Sequence, residues 1–199
     1  MAKFLNWIYV EKKIADSGLV LFTPVDLKRI LDVSRISVRF FLTRYTKKGA
    51  VTKLRRGLYA LSNNIPSELE IANALLRPSY VSLTFALAHY HIIPEMTYVV
   101  TSVTTRPTYR FEVLDREFRY HRIKKAAFTG YIPEKIGGKT ILIAEKEKAL
   151  VDHLYFAGRK VYTINTRLNI SSLNKEKVYR YAELFHSTKL ERMLREIYA

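Results

Sequence analysis

The succession of helix and turn signals between residues 23 and 61 constrains the fold more than any other part of this sequence. Residues 23–26 (TPVD) are typical of a helix N-terminus, because Thr can cap, Pro fits the first helical position and a carboxylate favours the positive helix end. Apolar residues at 27, 30 and 31 have the spacing of an inward helix face. Residues 32–34 predict a short turn, after which Ser34 is expected to cap a helix from Arg35 to about Lys48, ended by Gly49.

The helix predicted over residues 35–48 has two chemically different faces. The residues expected to face the core follow the i, i+3, i+4, i+7 rule and are Val38, Phe41, Leu42 and Tyr45. The opposite side carries Ile36, Arg39, Phe40, Thr43 and Lys47, and it is flanked by Arg35, Ser37 and Arg44. Apolar side chains exposed among arginines favour a surface that meets DNA base edges, because an apolar group can contact a thymine methyl.

Two short strands are predicted directly after this helix, over residues 50–54 and 58–61. Residues 55–57 (RRG) form the turn between them, since Gly57 can adopt a positive φ. These elements predict a winged helix-turn-helix over residues 1–62, in which the third helix enters the major groove and the hairpin tip reaches a phosphate or the minor groove. A loose apolar stripe supplies the first helix of this fold, over residues 4–15, and consists of Phe4, Leu5, Ile8, Tyr9 and Ile14.

Positive charge is concentrated in the same region. The chain has 34 Lys and Arg against 18 Asp and Glu, a net charge of +16. Residues 1–62 hold 13 basic and 4 acidic residues, a net of +9, and residues 63–199 hold 21 and 14, a net of +7. Ten of the basic residues lie between Lys28 and Arg56, where Asp32 is the one acid. A solvated helix face usually mixes both signs, so this distribution favours a polyanionic partner over a generic basic surface.

Composition excludes several classes of protein. The sequence has no Cys, which excludes a disulfide framework, a thiol nucleophile and cysteine zinc sites. No apolar run reaches the roughly 18 residues that span a bilayer, and the first residues lack the regions of a secretion signal. We therefore expect a cytoplasmic protein without a membrane partner. A length of 199 residues allows one domain or two small ones.

A polar break at residues 62–66 (SNNIP) predicts a domain boundary between residues 62 and 63. In residues 63–199, helices are predicted over 68–76, 83–90, 145–156, 175–185 and 189–197, with Ser82 capping the second of them. Strands are predicted over 97–105, 109–113, 117–123 and 139–143. Together they predict an α+β domain with a small, mostly antiparallel sheet.

The sequence offers little sign of catalysis. His89 and His91 point about 200° apart on a helix, so they do not share a metal, and no histidine pair has the i, i+4 spacing. The chain lacks the phosphate-loop and dinucleotide-binding glycine motifs. The alternating run 145–148 (EKEK) is predicted to be the solvated first turn of a helix, with Glu145 favoured by the helix dipole. We therefore predict no catalytic residues, no metal and no cofactor, in a protein that is not an enzyme.

Several segments resemble the AbiEi-type antitoxins, the transcriptional regulators of type IV, abortive-infection toxin–antitoxin systems. Residues 23–61, which end in RRGLYAL, are similar to the N-terminal domain of that family. Residues 80–95 resemble the family's segment for the first strand and helix of its second domain, and residues 101–106 resemble the strand that follows. Residues 144–152 (AEKEKALVD) resemble a helix start of the same domain, so that the resemblance covers nearly the whole chain.

The resemblance implies a function for each domain. It implies that residues 1–62 bind double-stranded DNA, at inverted repeats in the protein's own promoter, and thereby repress the operon. It implies that residues 63–199 act as antitoxin to a nucleotidyltransferase-like toxin without a stable complex. It also implies DNA contacts at Arg35, Ser37, Arg39 and Thr43 on the third helix and at Arg55 and Arg56 on the wing.

The individual DNA contacts follow from side-chain chemistry. Arg35 and Arg39 are predicted to contact bases, since Arg can bond guanine through two hydrogen bonds. Ser34 and Phe40 complete the set of predicted DNA-binding residues on the helix. The cations expected to hold phosphates are Lys28, Arg44, Lys47, Lys53, Arg55 and Arg56. A candidate second basic patch surrounds the hairpin predicted in the second domain and consists of Arg106, Arg110, Arg119, Arg122, Lys124 and Lys125.

Three functions compete at this stage. The first is the DNA-binding repressor and antitoxin just described. The second is a protein-interaction module that binds the toxin or another partner, with non-specific DNA binding. The third is an RNA-binding or nucleic-acid-processing enzyme, for which the sequence supplies no group of catalytic residues. The six cations of the candidate second patch equally allow a scattered, solvated surface.

Overall fold

The computed structural model describes residues 5–199, which divide into two compact units, a first unit up to Leu75 and a second unit from Leu76 to Ala199. The division falls thirteen residues after the boundary predicted between residues 62 and 63, because the helix that follows Pro66 groups with the first unit. Phe4, which belongs to the predicted N-terminal stripe, lies outside the described residues.

The first unit combines helices with a small antiparallel sheet. Its strands lie in the order β1-β3-β2, and β1, a two-residue strand that the sequence does not predict, pairs with β3 through Leu21 and Ala60. In chain order its elements are α1 (Trp7–Asp16), β1 (Leu21–Phe22), α2 (Pro24–Leu31), α3 (Arg35–Lys47), β2 (Val51–Arg55), β3 (Leu58–Leu61) and α4 (Glu68–Leu75).

The core of the first unit is built around α3. The Trp7 ring on α1 stacks on Phe41, with centroids 6.0 Å apart and planes 7° apart, and contacts Tyr45 at 4.9 Å. The predicted stripe of α1 is partly wrong, because Val10 and Ile14 are the buried positions of the helix. Of the other described members of the stripe, Leu5 is buried as predicted, whereas Ile8 and Tyr9 are exposed to solvent. The helix therefore packs through positions four apart, which share one side of an α-helix.

The second unit is a mixed sheet with helices. Its strand order is β6-β7-β5-β4-β9-β8. The pairs β5–β7 and β4–β9 are parallel, and β6–β7, β4–β5 and β8–β9 are antiparallel. In chain order its elements are β4 (Ser79–Val81), α5 (Leu83–His89), β5 (Val99–Thr104), β6 (Tyr109–Val113), β7 (Arg116–Arg122), β8 (Tyr131–Ile136), β9 (Lys139–Ala144), α6 (Lys146–Gly158), α7 (Lys175–Glu183) and α8 (Thr188–Ile197).

The strands β4 and β8 are not predicted from strand composition, and their residues explain why. β4 has three residues, all buried, which is too short for a recognisable alternation. β8 contains Pro133, which is disfavoured in central strands because it lacks a backbone N–H. Proline is tolerated here because β8 lies at the edge of the sheet, where one side of the strand pairs with β9 and the other has no neighbouring strand among the described residues.

The helix α6 corrects the prediction for the EKEK run. Every residue from Glu147 to Phe156 is buried, so the first turn is not solvated. Lys148 is fully buried and forms an ion pair with Asp152, one turn later on the same helix. The prediction of a solvated turn is therefore wrong, because Lys148 lies in the core of the second unit.

A compact hydrogen-bond network holds this buried ion pair. Tyr80 and Ser82 donate hydrogen bonds to Asp152 Oδ2, at 3.1 and 2.8 Å. Lys148 Nζ donates to the Tyr80 hydroxyl at 3.0 Å as well as to the carboxylate. Ser82 occupies the N-cap position of α5, as predicted, but its side chain makes no capping bond to that helix because the hydroxyl is directed to Asp152.

Burial works against both charges of the pair. It raises the pKa of Asp152, although Lys148 and the hydrogen bonds from Ser82 and Tyr80 oppose the rise. It also lowers the pKa of Lys148, against the attraction of the carboxylate. A buried ion pair of this kind contributes little net stability over apolar residues of similar volume, but the loss of one partner leaves an uncompensated charge.

We expect Asp152→Ala to lower the free energy of unfolding of the second unit by about 3–5 kcal/mol, because Lys148 would lose its counter-ion while remaining buried. The double variant Lys148→Met/Asp152→Leu should lose less than the single variant, since no charge stays buried. Urea unfolding followed by far-UV circular dichroism measures the effect. Trp7, the one tryptophan of the sequence, lies in the first unit, and its fluorescence provides an internal reference. A double variant at least as unstable as Asp152→Ala would contradict this account.

Candidate nucleic-acid interface

The connection between α2 and α3 is fixed by local hydrogen bonds. Thr23 and Asp26 form a capping box at the start of α2, with Thr23 N donating to Asp26 Oδ2 at 2.8 Å and Asp26 N donating to Thr23 Oγ1 at 3.2 Å. Asp32 ends α2 in the left-handed conformation, with φ at 48°. A left-handed residue reverses the chain sharply, so that α3 begins three residues later, at Arg35.

The start of α3 is capped by Ser34, as predicted. Its hydroxyl accepts a hydrogen bond from Ser37 N at 3.1 Å, and the two serine hydroxyls lie 3.0 Å apart. Ser37 is 5% exposed. The cap therefore holds the side chain of Ser37 largely inside, and its contact with DNA stays a prediction. Ser34 itself is exposed.

The remaining side chains of α3 divide into the two faces that the spacing predicts. Val38, Phe41, Leu42 and Tyr45 are buried. Ile36 and Phe40 are 62% and 68% exposed, so two large apolar side chains one turn apart face solvent. The exposed polar and basic side chains of the same helix are Arg35, Arg39, Thr43, Arg44 and Lys47. We call this set, together with Ile36 and Phe40, the outer face of α3.

The β2–β3 hairpin has a basic tip. Its register shifts between Lys53 and Arg55, and Gly57 takes a φ of 81° at the turn. Arg55 is half-buried and donates from Nη1 to the backbone carbonyl of Arg56 at 2.9 Å. Lys53 and Arg56 are exposed. The turn therefore presents Arg56 to solvent, whereas Arg55 is partly held by the backbone.

Electrostatics favour an anionic ligand at the outer face of α3. The sequence has no carboxylate between Asp32 and Glu68, so neither α3 nor the hairpin contains an acid. On the preceding helix, the carboxylate of Asp26 forms an ion pair with Arg29 at 3.6 Å, within α2 itself. The guanidinium of Arg44 and the ammonium of Lys48 each lie 5.7 Å from the Tyr45 ring. A contact with an aromatic ring does not neutralise a cation.

Comparison with known families identifies this part of the chain. Residues 10–62 match the family of transcriptional regulators described as the AbiEi antitoxin. The resemblance inferred from the sequence is confirmed for this AbiEi-like segment, which runs from α1 to the end of the hairpin. No curated protein is significantly similar to the sequence. The resemblance of residues 80–95, 101–106 and 144–152 to the same family lies outside the matched segment and stays a prediction.

The AbiEi-like segment contains all the DNA-binding residues predicted from the sequence. Besides those on α3 and the hairpin, Lys28 lies exposed on α2. These residues lie on the outer face of α3, at its N-cap (Ser34), on the exposed side of α2 and on the hairpin, and Ser37 is the buried one among them. Arg55 alone among these cations is only half-exposed.

The six cations of the candidate second patch divide into separate environments in the second unit. Arg110 and Arg119 are cross-strand partners on β6 and β7, and they form ion pairs with Glu112 and Glu117. Arg106 is exposed after β5. The remaining members, Arg122, Lys124 and Lys125, line a groove together with Arg159 from the end of α6. The sequence analysis misses Arg159 because it lies 34 residues beyond Lys125.

The described residues contain neither a group of metal-holding side chains nor a membrane-spanning helix. Across residues 5–199, no group of three or more His, Asp or Glu side chains is placed to hold a metal ion. In the same part of the chain, no helix is long and apolar enough to cross a membrane. The histidines have other neighbours, with His89 Nε2 lying 3.0 Å from Glu134 and His121 Nε2 lying 2.8 Å from the Tyr162 hydroxyl.

Adjacent residues of α3 provide a matched test of its two faces. Phe41 is 3% exposed and packs against Trp7 and Tyr45, so Phe41→Ala should lower the free energy of unfolding of the first unit by about 3–5 kcal/mol. Phe40→Ala should change it by no more than about 0.5 kcal/mol, because the ring is exposed. Urea unfolding followed by Trp7 fluorescence measures both. Equal losses in the two variants would contradict the assignment of the faces.

Proposed function

We propose that the first unit is a winged helix-turn-helix that binds specific sequences of double-stranded DNA and represses the operon that encodes it. The observation that carries the proposal is the outer face of α3, an exposed surface of arginines and apolar residues without a carboxylate. The match of residues 10–62 to transcriptional regulators of the AbiEi antitoxin family supports the same function. The apolar pair Ile36 and Phe40 favours base contacts over purely electrostatic binding.

The spacing of α3 fits the reading of neighbouring base pairs. Arg35 and Arg39 are four residues apart, so they share one side of the helix and are separated by about 6 Å along its axis. This distance is close to two base-pair steps of about 3.4 Å each. Both arginines can bond guanine, and Thr43 continues the same side one turn further. Ile36 and Phe40 form the parallel row that can contact thymine methyl groups.

Phosphate contacts would position this helix in the major groove. Lys47 and Arg44 lie at the C-terminal end of α3, Lys28 on α2, and Lys53 and Arg56 on the hairpin. Cations on both sides of a recognition helix can hold the two strands that border the groove. Ser34, exposed at the helix start, is placed for a hydrogen bond to the backbone on the same side. Arg55 would contribute through Nη2, because its Nη1 bonds the carbonyl of Arg56 and its Nε is buried.

The second unit is assigned the antitoxin role in this proposal. It would counter a nucleotidyltransferase-like toxin encoded with it, without a stable complex, while the first unit binds inverted repeats upstream of the operon. The support is the AbiEi-like segment, since regulators of that family are antitoxins. We assign the chain no catalytic step of its own.

Substitutions on the outer face of α3 should separate base reading from phosphate binding. Arg39→Ala should weaken binding to the DNA upstream of the gene by about 10–100-fold and remove the preference over a scrambled duplex, because it deletes a base contact. Lys47→Ala should weaken binding to both duplexes equally and reduce the salt slope by about 1, because it deletes a phosphate contact. Fluorescence anisotropy with labelled duplexes measures both effects.

The matched control is Arg192→Ala, which removes the same charge from an exposed position of α8. It should leave both affinities nearly unchanged. Intact preference for the upstream DNA in Arg39→Ala would contradict the placement of α3 in the major groove. Non-specific binding by the wild-type chain, equal on both duplexes, would instead favour a protein-interaction module.

A further inference from the structure

A groove of about 1010 Å³ opens in the second unit beside the end of β7 and the C-terminal half of α6. Small-ligand pockets usually enclose about 300–1,000 Å³, so the groove has room for a nucleotide or a short stretch of a strand. Arg122 at the end of β7 and Lys125 shortly after it line the groove together with Arg159, which directly follows α6. All three are exposed. Among the described residues that line the groove, none is a carboxylate.

The neighbouring contacts leave the positive charge of the groove uncompensated. Lys124 also lines it, but its Nζ donates to the backbone carbonyl of Phe185 at 2.7 Å and is therefore tethered. Arg159 donates from Nη1 to the Tyr155 hydroxyl at 2.9 Å, a neutral partner. The two other arginines of this region, Arg110 and Arg119, pair with Glu112 and Glu117 and do not line the groove. The fold therefore separates neutralised arginines from those that face the groove.

The least exposed residues that line the groove form its floor, and most of them are aromatic. Tyr155 and Phe156 are 9% and 4% exposed, whereas the His121 ring is half-exposed. The Arg159 guanidinium lies over the Tyr155 ring, 5.6 Å from its centroid. The His121 ring lies 5.1 Å from Phe156 and 5.3 Å from Tyr162. Burial, assisted by the charge of Arg119, lowers the pKa of His121 to about 4. At neutral pH the His121 ring is therefore uncharged, and the positive charge of the groove comes from its arginines and lysines.

This combination fits a nucleotide that is not part of a duplex. Unstacked bases lie on aromatic rings or on arginine planes, while phosphates are held by cations. A duplex keeps its bases stacked inside and presents its phosphates on a convex surface, so it does not place a base on a recessed floor. An acidic peptide would use the cations but has no need of the aromatic floor.

We propose that this groove, which we call the 122/159 groove after its two arginines, binds a nucleotide, with the phosphate on Arg122, Lys125 and Arg159 and the base against the half-exposed His121 ring. The nucleotide is either free or part of a single strand, since both offer the same phosphate and base. The site lies within the second unit and involves none of the residues assigned to duplex binding. Its success or failure is therefore distinguishable from that of the proposed function.

Fluorescence anisotropy with the full chain tests the proposal. The probe is a 5′-phosphorylated single-stranded tetranucleotide with fluorescein at its 3′ end. Arg122→Ala and Arg159→Ala should each weaken its binding by at least about tenfold, because each deletes a charge-assisted hydrogen bond to phosphate. Arg110→Ala is the matched control, an exposed arginine outside the groove, and should leave binding within about twofold of wild type. Arg39→Ala should also leave it unchanged.

Competition separates the sources of the nucleotide. Displacement of the probe by unlabelled ATP as effectively as by the unlabelled tetranucleotide supports a free nucleotide, and displacement by the tetranucleotide alone supports a single strand. Probe binding that survives in Arg122→Ala/Arg159→Ala would overturn the proposal, as would equal loss in Arg110→Ala. Displacement by an unlabelled duplex as effective as that by the single strand would also overturn it. Circular dichroism checks that each variant is folded. Lys125→Ala provides a further substitution among the cations that line the groove.

Discussion

The packing of the inner face of α3 is the constraint on which the first unit depends. Val38, Phe41, Leu42 and Tyr45 must be buried, and the Trp7 ring of α1 stacks directly on Phe41. Because an α-helix has 3.6 residues per turn, burial of these positions dictates that the residues between them face solvent. Burial of the apolar row therefore exposes Arg35, Arg39 and Phe40 together. The chemistry proposed for DNA recognition is thus a geometric consequence of the core, with the caps at Thr23 and Ser34 fixing where each helix starts.

The second unit follows a different physical rule, because polar groups lie at its centre. Lys148 and Asp152 on α6 are fully buried and are bonded to Tyr80 and Ser82. Such a network tolerates few substitutions, since any unpaired member would be a buried charge or an unsatisfied polar group. Arginines of the second unit lie in two kinds of surroundings. Arg110 and Arg119 on β6 and β7 form ion pairs with Glu112 and Glu117, whereas the arginines that line the 122/159 groove have no carboxylate among the lining residues.

How much the sequence predicts depends on how local the determining interaction is. Caps, turns and the helical period of α3 involve residues a few positions apart, and the structure has them where the pattern predicts them. The burial of Ser37 is also a local effect. The helical pattern did not predict it, because the hydrogen bonds to the Ser34 cap hold the Ser37 hydroxyl away from solvent. Non-local interactions could not be predicted. From sequence alone the EKEK run has the pattern of a solvated turn, because the contact between Lys148 and Tyr80 forms only in the folded chain. Arg159 likewise lies near Arg122 only through tertiary packing. The composition of β4 does not mark it as a strand, and its pairing with β5 and β9 defines it.

The central claim is that α3 reads DNA sequence. It is tested most directly by measuring the affinity of the full wild-type chain for the DNA upstream of its gene and for a scrambled duplex of equal length, over about 50 to 200 mM salt. Both affinities should fall as salt rises, because cations that hold phosphates release counter-ions on binding. The preference for the upstream DNA should persist across the series, because base contacts do not depend on counter-ion release. Equal affinities that disappear together with increasing salt would contradict the claim and reduce α3 to an electrostatic surface.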